Sequence, residues 1–452
     1  MQYLYLWLYP ILAAALVFGF KRKSLNRILL LGHSILHLGM AVALFFPKSG
    51  IPALFGTDSL AHSFVLVSAL LYLAAVIYGG SGSDRLSAKQ SSIYCICMMA
   101  FVAAMDSANL SQNLGSIWVF VETTTLASAM LISFEHHKQS LEAAWKYLFI
   151  CSIGIALAFV GILLLLIAFD HNPSLLFPQL KVAAAGLNPF WLKISFVFML
   201  IGFGTKVGLA PLHFWLPDAH SEAPAAVSAL LSGALLNTAL LPLIRMQEVM
   251  NRAALGYLAT QLFLALGIAS LFVAAVFILK VKNFKRLLAY SSIENMGLIL
   301  IAFALGSYAG KAGLIHTLGH SLIKAAFFLS AGNLISIFAA KDYDKCSALL
   351  SRHPQTGWLW LLCFAFIMGL PPSPLFFSEF YLVLGFITSG GYLLAIVIFA
   401  LLAVIAFGLG RATLTICLGE TDKRSKLPLR QYLPQIVLLL AAIAVPIALK
   451  LM

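Results

Sequence analysis

The chain has 452 residues, of which 62% are hydrophobic and only 10% charged, with a formal net charge of +13 at neutral pH. Soluble proteins carry roughly 25% charged residues, so this composition excludes a soluble enzyme, a disordered chain and a fibre, and points to lipid as the solvent. The basic excess, a nucleic-acid signal in a soluble protein, reads here as the loop charge that orients membrane proteins, and no nucleic-acid partner is expected.

Apolar runs fall at about 3–20, 25–46, 59–79, 91–108, 113–133, 142–169, 190–212, 224–245, 255–280, 286–305, 310–338, 357–387, 391–415 and 431–451. At roughly 20 residues per crossing they predict an all-α polytopic membrane protein with about fourteen spans. The first run has neither a basic leader nor a cleavage site, which predicts a retained helix rather than a signal peptide. No connection is long enough to hold a soluble domain.

A charge at mid-membrane costs about 2.5–3.5 kcal/mol on insertion scales and is usually kept for function. Asp106, ending the fourth run, is expected near the outer surface. In the fifth run, Glu122 follows Trp118-Val119-Phe120-Val121 and precedes three threonines. It is read as a relay carboxyl, against the alternative of an ion pair that only joins two helices. Glu142 and Lys146 open the sixth run one turn apart, which suits a surface pair or a secondary relay position. Lys206 stands in Gly202-Phe203-Gly204-Thr205-Lys206-Val207-Gly208. A buried lysine suits proton transfer, and the likeness to a nucleotide loop fails because no strand precedes it.

Gly208-Leu209-Ala210-Pro211 then breaks the seventh run, since proline removes a donor and clashes with the preceding turn. His213, Trp215, Asp218, His220 and Glu222 follow. Pro211, Pro217 and Pro224 predict a short interfacial hairpin there. His213 is a relay candidate, and a metal site, which needs three or four converging ligands, is not expected. In the tenth run Glu294 is a secondary candidate. In the eleventh, His316, His320 and Lys324 recur at i, i+4, i+8 and form one polar stripe. The twelfth is broken by Gly369-Leu370-Pro371-Pro372, and Glu379 follows as a terminal carboxylate. The cysteines (Cys95, Cys97, Cys151, Cys346, Cys363, Cys417) form no C-x-x-C, so no iron–sulfur cluster, structural zinc or other cofactor is expected on this chain.

The two breaks lie five spans apart. An odd spacing reverses direction through the membrane, which predicts inverted repeats with broken helices at matching positions. Of the lysines and arginines, nineteen lie in connections after odd-numbered spans and six on the opposite side. The positive-inside rule then puts both termini on the outer, periplasmic side of a bacterial or archaeal cytoplasmic membrane.

The stretch from Gly202 through His220 to Leu230 resembles the signature of antiporter-like subunits of respiratory complex I, Mrp cation antiporters and membrane-bound hydrogenases. Lys285-Arg286-Leu287-Leu288-Ala289-Tyr290-Ser291-Ser292 and His320-Ser321-Leu322-Ile323-Lys324-Ala325 resemble it too. The resemblance implies fourteen helices, inverted five-helix repeats at helices 4–8 and 9–13, and broken helices seven and twelve. It implies an N-terminal three-helix segment at 1–90, repeats at 91–246 and 255–418, and a last helix at 430–452. By the same resemblance, Glu122, Lys206, Lys324 and Glu379 match the family's charged positions. One departure stands out. Where many members carry a lysine or histidine in helix eight, this chain has Asn237, which cannot titrate. With that pattern the chain looks most like the component F proteins of hydrogenase-4 and their formate hydrogenlyase relatives.

The function expected is translocation of protons, with Na⁺ as the alternative ion, inside a redox-driven complex. The relay would run through Glu122, Lys206, His213, the His316–His320–Lys324 stripe and Glu379, with Lys146, Asn237 and Glu294 as secondary members. Partners would be other membrane subunits, hydrogenase and iron–sulfur subunits, and membrane lipid. The alternatives are an Mrp-type or complex I antiporter-like subunit, and a proton-coupling membrane partner of a zinc protein in inorganic-carbon uptake.

Overall fold

The computed structural model describes residues 2–20, 22–46, 58–79, 87–135, 137–424 and 426–451. Lys21, Lys48 and Arg85, counted above for orientation, lie outside the described residues. The chain is helical almost throughout. The helices are α1 (Gln2–Phe20), α2 (Lys23–Ala43), α3 (Ser59–Gly79), α4 (Ala88–Leu110), α5 (Leu114–Ile132), α6 (Lys138–Ile167) and α7 (Pro189–Val207). After these come α8 (Ala225–Arg252), α9 (Gly256–Ile278), α10 (Phe284–Leu305), α11 (Ser307–Phe338), α12a (Pro354–Ile367), α12b (Pro374–Ser389), α13 (Tyr392–Cys417) and α14 (Leu433–Leu451). Among the described residues, the only extended pairings are the isolated bridges Asn113–Leu176 and Asn283–Asp342. Helices satisfy their own backbone groups, which hydrocarbon requires of any lipid-exposed segment.

Eleven helices among the described residues are long and apolar enough to cross a membrane. Trp7–Phe20, Pro354–Ile367, Pro374–Ser389 and Leu433–Leu449 are shorter apolar helices. With α12a and α12b taken as one interrupted crossing, the apolar runs number the fourteen expected. Helix starts follow from local sequence. Ser87 and Gln90 close a reciprocal capping box on α4. Asn188 and Asn283 accept the first free N–H groups of α7 and α10.

The chain divides into two compact units, one of Met1–Gly208 with Ala234–Leu262, the other of Leu209–Gly233 with Phe263–Met452. The chain thus passes from the first to the second at the break after α7. In the first unit α6 lies along α7, so close that a Cβ built on Gly202 would sit 2.4 Å from the Ala158 nitrogen. In the second, α11 is central and packs against α10, α12a, α12b and α14.

Both expected breaks are present. Gly208 (φ +81°) ends α7 and Gly369 (φ +66°) follows α12a. Each takes the left-handed conformation that glycine tolerates best. The segment after the first break differs from the expected interfacial hairpin. Trp215–Glu222 is a helix, with Trp215, Leu216, Ala219 and His220 fully buried. Pro217 lies in its first turn, where backbone N–H groups have no intrahelical partner to lose. α8 carries one wider π-type turn at Leu231–Leu235, which the hydropathy of the run did not foretell. Such turns often occur at functional sites.

Candidate functional site

In the first unit a polar cluster joins α5, α6 and α7. Lys206 is completely buried one residue before the end of α7. Its Nζ donates to Thr125 Oγ1 at 2.7 Å and to the Tyr147 hydroxyl at 2.5 Å, and stands 4.6 Å from the centre of the Tyr147 ring. Tyr147 OH in turn lies 2.6 Å from Ser128 Oγ. Glu122 is within electrostatic reach of Lys206, but the link between them is a hydroxyl. Thr125 donates to Glu122 Oε2 at 3.3 Å, and Ser152 donates to Oε1 at 2.8 Å. Sequence reading placed Glu122 and Lys206 together correctly but missed Thr125, Ser128 and Tyr147, because hydroxyls in an apolar helix carry no periodic signal.

Lys146 takes the surface-pair alternative. It lies 2.8 Å from Glu142, and the two side chains are 49% and 59% exposed. Asn237 is buried within α8. Arg245, counted above as a loop charge, is also buried there. It donates to the carbonyls of Ser111 (2.7 Å) and Asn109 (3.3 Å) and lies 3.2 Å from Asp58.

In the second unit a larger cluster surrounds α11. His316 Nε2 lies 2.9 Å from Asn295 Oδ1, and its Nδ1 lies 2.8 Å from Ser378 Oγ. Asn295 donates to Glu294 Oε2 at 3.1 Å, and Ser291 donates to the same oxygen at 3.2 Å. Glu294 is therefore buried among polar partners and lies within electrostatic reach of Lys324 and Glu379. Lys324 is fully buried and donates to the Leu288 carbonyl at 2.9 Å. His320, one turn away, is fully buried, and neither ring nitrogen has a hydrogen-bond partner among the described residues. Glu379 is half-buried beside the second break. A Cβ on Gly369 would come within 2.6 Å of its Oε2, so only glycine leaves room for that carboxylate.

His213 is buried and stacks on Phe214, with ring centroids 4.6 Å apart. Asp218 pairs with Arg286, and Glu222 lies 2.9 Å from Lys341. These partners hold the acids of the former metal candidate apart. The structure adds two groups that sequence reading left out. His220 is fully buried against Phe328, with neither ring nitrogen hydrogen-bonded among the described residues. Lys285, read above as a loop charge, is buried in the first turn of α10 and donates to the Ala223 carbonyl at 2.5 Å. Both Lys285 and Lys324 are within electrostatic reach of His220.

Residues 111–406 match the NADH:quinone oxidoreductase/Mrp antiporter transmembrane family. A hydrogenase-4 component F homolog of Methylacidiphilum infernorum is 37% identical over 349 residues, 75% of this chain and 73% of that protein. An Na⁺/H⁺ antiporter subunit of Alkalihalophilus pseudofirmus is 26% identical over 450 residues, 95% of this chain and 90% of that protein. Among solved structures, a chain of the archaeal membrane-bound sulfane sulfur reductase superposes with a TM-score of 0.90. It has 21% identity and covers 99% of this chain and 96% of that one.

Proposed function

This chain belongs to the NADH:quinone oxidoreductase/Mrp antiporter transmembrane family, and from that premise we propose that it translocates protons through its two buried polar clusters. The observation that carries this reading is Lys206. An ammonium group with no exposed surface, held by two hydroxyls and flanked by a carboxylate, is costly in a membrane helix. It costs less than an isolated charge because its protons are donated into hydrogen bonds. Such a group changes its charge state when a neighbouring charge changes. A shift at Glu122 would reach Lys206 through Thr125, and the second cluster would respond through His320, Lys324 and Glu294. His320 and His220 suit this role, since either can take a proton without first breaking a hydrogen bond to the described residues.

The parent we propose is a redox-driven complex of the hydrogenase-4 or formate hydrogenlyase type, with electron transfer left to partner chains. The 37% identity to a hydrogenase-4 component F homolog supports it, as does Asn237 in helix eight. Inverted repeats and outward-facing termini belong to the same proposal, on the matching breaks and the loop charges. The test is Lys206→Ala in the assembled complex, with ion transfer followed in sealed vesicles. Coupled transfer is expected to fall at least roughly 100-fold, the scale of one positioned proton-transfer group, while the complex stays assembled. Unchanged transfer in that variant would sink the relay. Mass spectrometry of the proteins that co-purify in mild detergent tests the parent. Hydrogenase and iron–sulfur subunits are expected, and a lone large zinc protein would refute it.

A further inference from the structure

The first four helices hold another buried line of titratable groups, with no member in residues 111–406 that match the family until it reaches Arg245 at one end. The buried side of α2 carries Asn26, His33 and His37. Asn26 exchanges hydrogen bonds with Ser91 and Ser92 of α4, at 3.2 and 3.1 Å. His33 Nδ1 lies 2.9 Å from the Tyr72 hydroxyl of α3, and the His33 ring stacks on His37 with centroids 5.8 Å apart. His37 Nε2 is 2.6 Å from Asp106 Oδ2, and the other Asp106 oxygen accepts the Ser68 hydroxyl at 2.6 Å. Asp106 was expected near the outer surface. It does lie one turn from the end of α4, but it is completely buried. Beyond it Arg245 binds the Asn109 carbonyl and reaches the partly exposed Asp58.

The length of this line matters. Asn26 to His37 is eleven residues of helix, a rise of about 16 Å or roughly half the hydrocarbon core. Asp106 and the groups around Asn109 extend it toward the end of α4. Its composition matters as well. A structural ion pair with Asp106 needs one imidazole, and His37 already supplies it. A second buried imidazole adds a desolvation cost and balances no charge. Imidazole can accept a proton on one nitrogen and release one from the other, so two stacked rings between a carboxylate and a phenol form an alternating series of donors and acceptors. The neighbouring titratable groups are Tyr9, stacked on His33 at 5.0 Å, and Tyr94 and Cys95 near Tyr72.

We propose that α2, α3 and α4 form a second proton-conducting path, separate from the Lys206 cluster. A proton on the Asp106 carboxyl passes to His37 Nε2, breaking one O–H bond and forming one N–H bond. His37 releases its other N–H proton toward His33, and His33 exchanges with the Tyr72 hydroxyl toward the Asn26 end. No electrons move, and rotation of the rings resets the line. The path shares with the proposed function only the premise that this subunit moves protons.

The full-length chain in liposomes, under a K⁺ diffusion potential and with an enclosed pH dye, tests it. Wild type is expected to conduct protons well above protein-free vesicles. His37→Gln and Asp106→Asn are each expected to cut that flux at least roughly tenfold while circular dichroism and gel filtration stay unchanged. The fold-loss on H37Q is expected to be equal in wild-type and Lys206→Ala backgrounds, as for independent sites. Added imidazole is expected to restore flux to His37→Ala, which a merely structural histidine would not show. A wild-type chain no more conductive than empty vesicles overturns the proposal, as do folded H37Q and D106N variants at wild-type flux. Flux lost on Lys206→Ala but not on H37Q also overturns it, and leaves the proposed function standing.

Discussion

The Lys206 and Lys324 clusters solve one problem with different chemistry. Around Lys206, the charge is held by hydroxyls. Thr125 touches both the ammonium and the Glu122 carboxylate, and Tyr147 and Ser128 continue the line. Around Lys324, the ammonium meets a backbone carbonyl, and the titratable neighbours are imidazoles and a carboxylate joined through Asn295. A hydroxyl bridge couples two charges at short range and needs little space. Imidazoles hold the proton themselves, so the second cluster can store charge as well as pass it on.

The sharpest way to break that comparison is a pair of histidine variants. His320 has no hydrogen-bond partner among the described residues, whereas His316 is bound on both sides. His320→Gln is therefore expected to lower proton transfer by at least roughly 100-fold. His316→Gln, whose amide can bond both Ser378 and Asn295, is expected to lower it far less. Equal losses in vesicle transport would mean that the two histidines act as one unit. In the first cluster, Thr125→Val removes the bridge but keeps the shape. Transfer is expected to slow about tenfold, equivalent to the ~1.5 kcal/mol of a hydrogen bond to a charged group. A Thr125→Ser variant restoring the rate would confirm the hydroxyl as the cause.

Lys206 and the α11 stripe were legible in the sequence because a charge in an apolar run is conspicuous and helical spacing is regular. Lys285 and His220 were not, since a lysine at a helix start looks like a loop charge until the neighbouring chain covers it. His33 and His37 show the same four-residue spacing as His316 and His320. They gave no site by themselves because Asp106 and Tyr72, which complete their line, come from other helices.

Smaller effects test the frame of the second cluster. Gly369→Ala places a Cβ against Glu379 in a left-handed conformation. It is expected to cost about 1–2 kcal/mol for the backbone alone, read as a lower melting temperature in detergent. The smallest effect is at the surface, where Lys282 Nζ donates to Asp344 at 2.9 Å between two exposed connections. This bond raises the Lys282 pKa and lowers that of Asp344. Asp344 therefore contributes above its unfolded pKa, and the contribution fades as pH falls through the lowered value. Lys282 contributes below its unfolded pKa, and that contribution fades as pH rises through the raised one. Amide exchange in these connections is expected to be slowest at intermediate pH, with a shallow rise at either end that Asp344→Asn removes. The change is small because exposed pairs are screened.

The sequence by itself determined that the chain crosses a membrane about fourteen times, where two crossings are interrupted, and which charges lipid would have to tolerate. Those properties are local: hydropathy sums along a helix, and proline breaks the turn in which it sits. Only the tertiary structure decided which charges have partners. It placed Thr125 between Glu122 and Lys206, set His320 without a bond to the described residues beside a saturated His316, moved Lys146 to the surface and buried Lys285 and Asp106. A hydrogen bond depends on which helix faces which and at what height, and that is set by the packing of residues far apart in the chain.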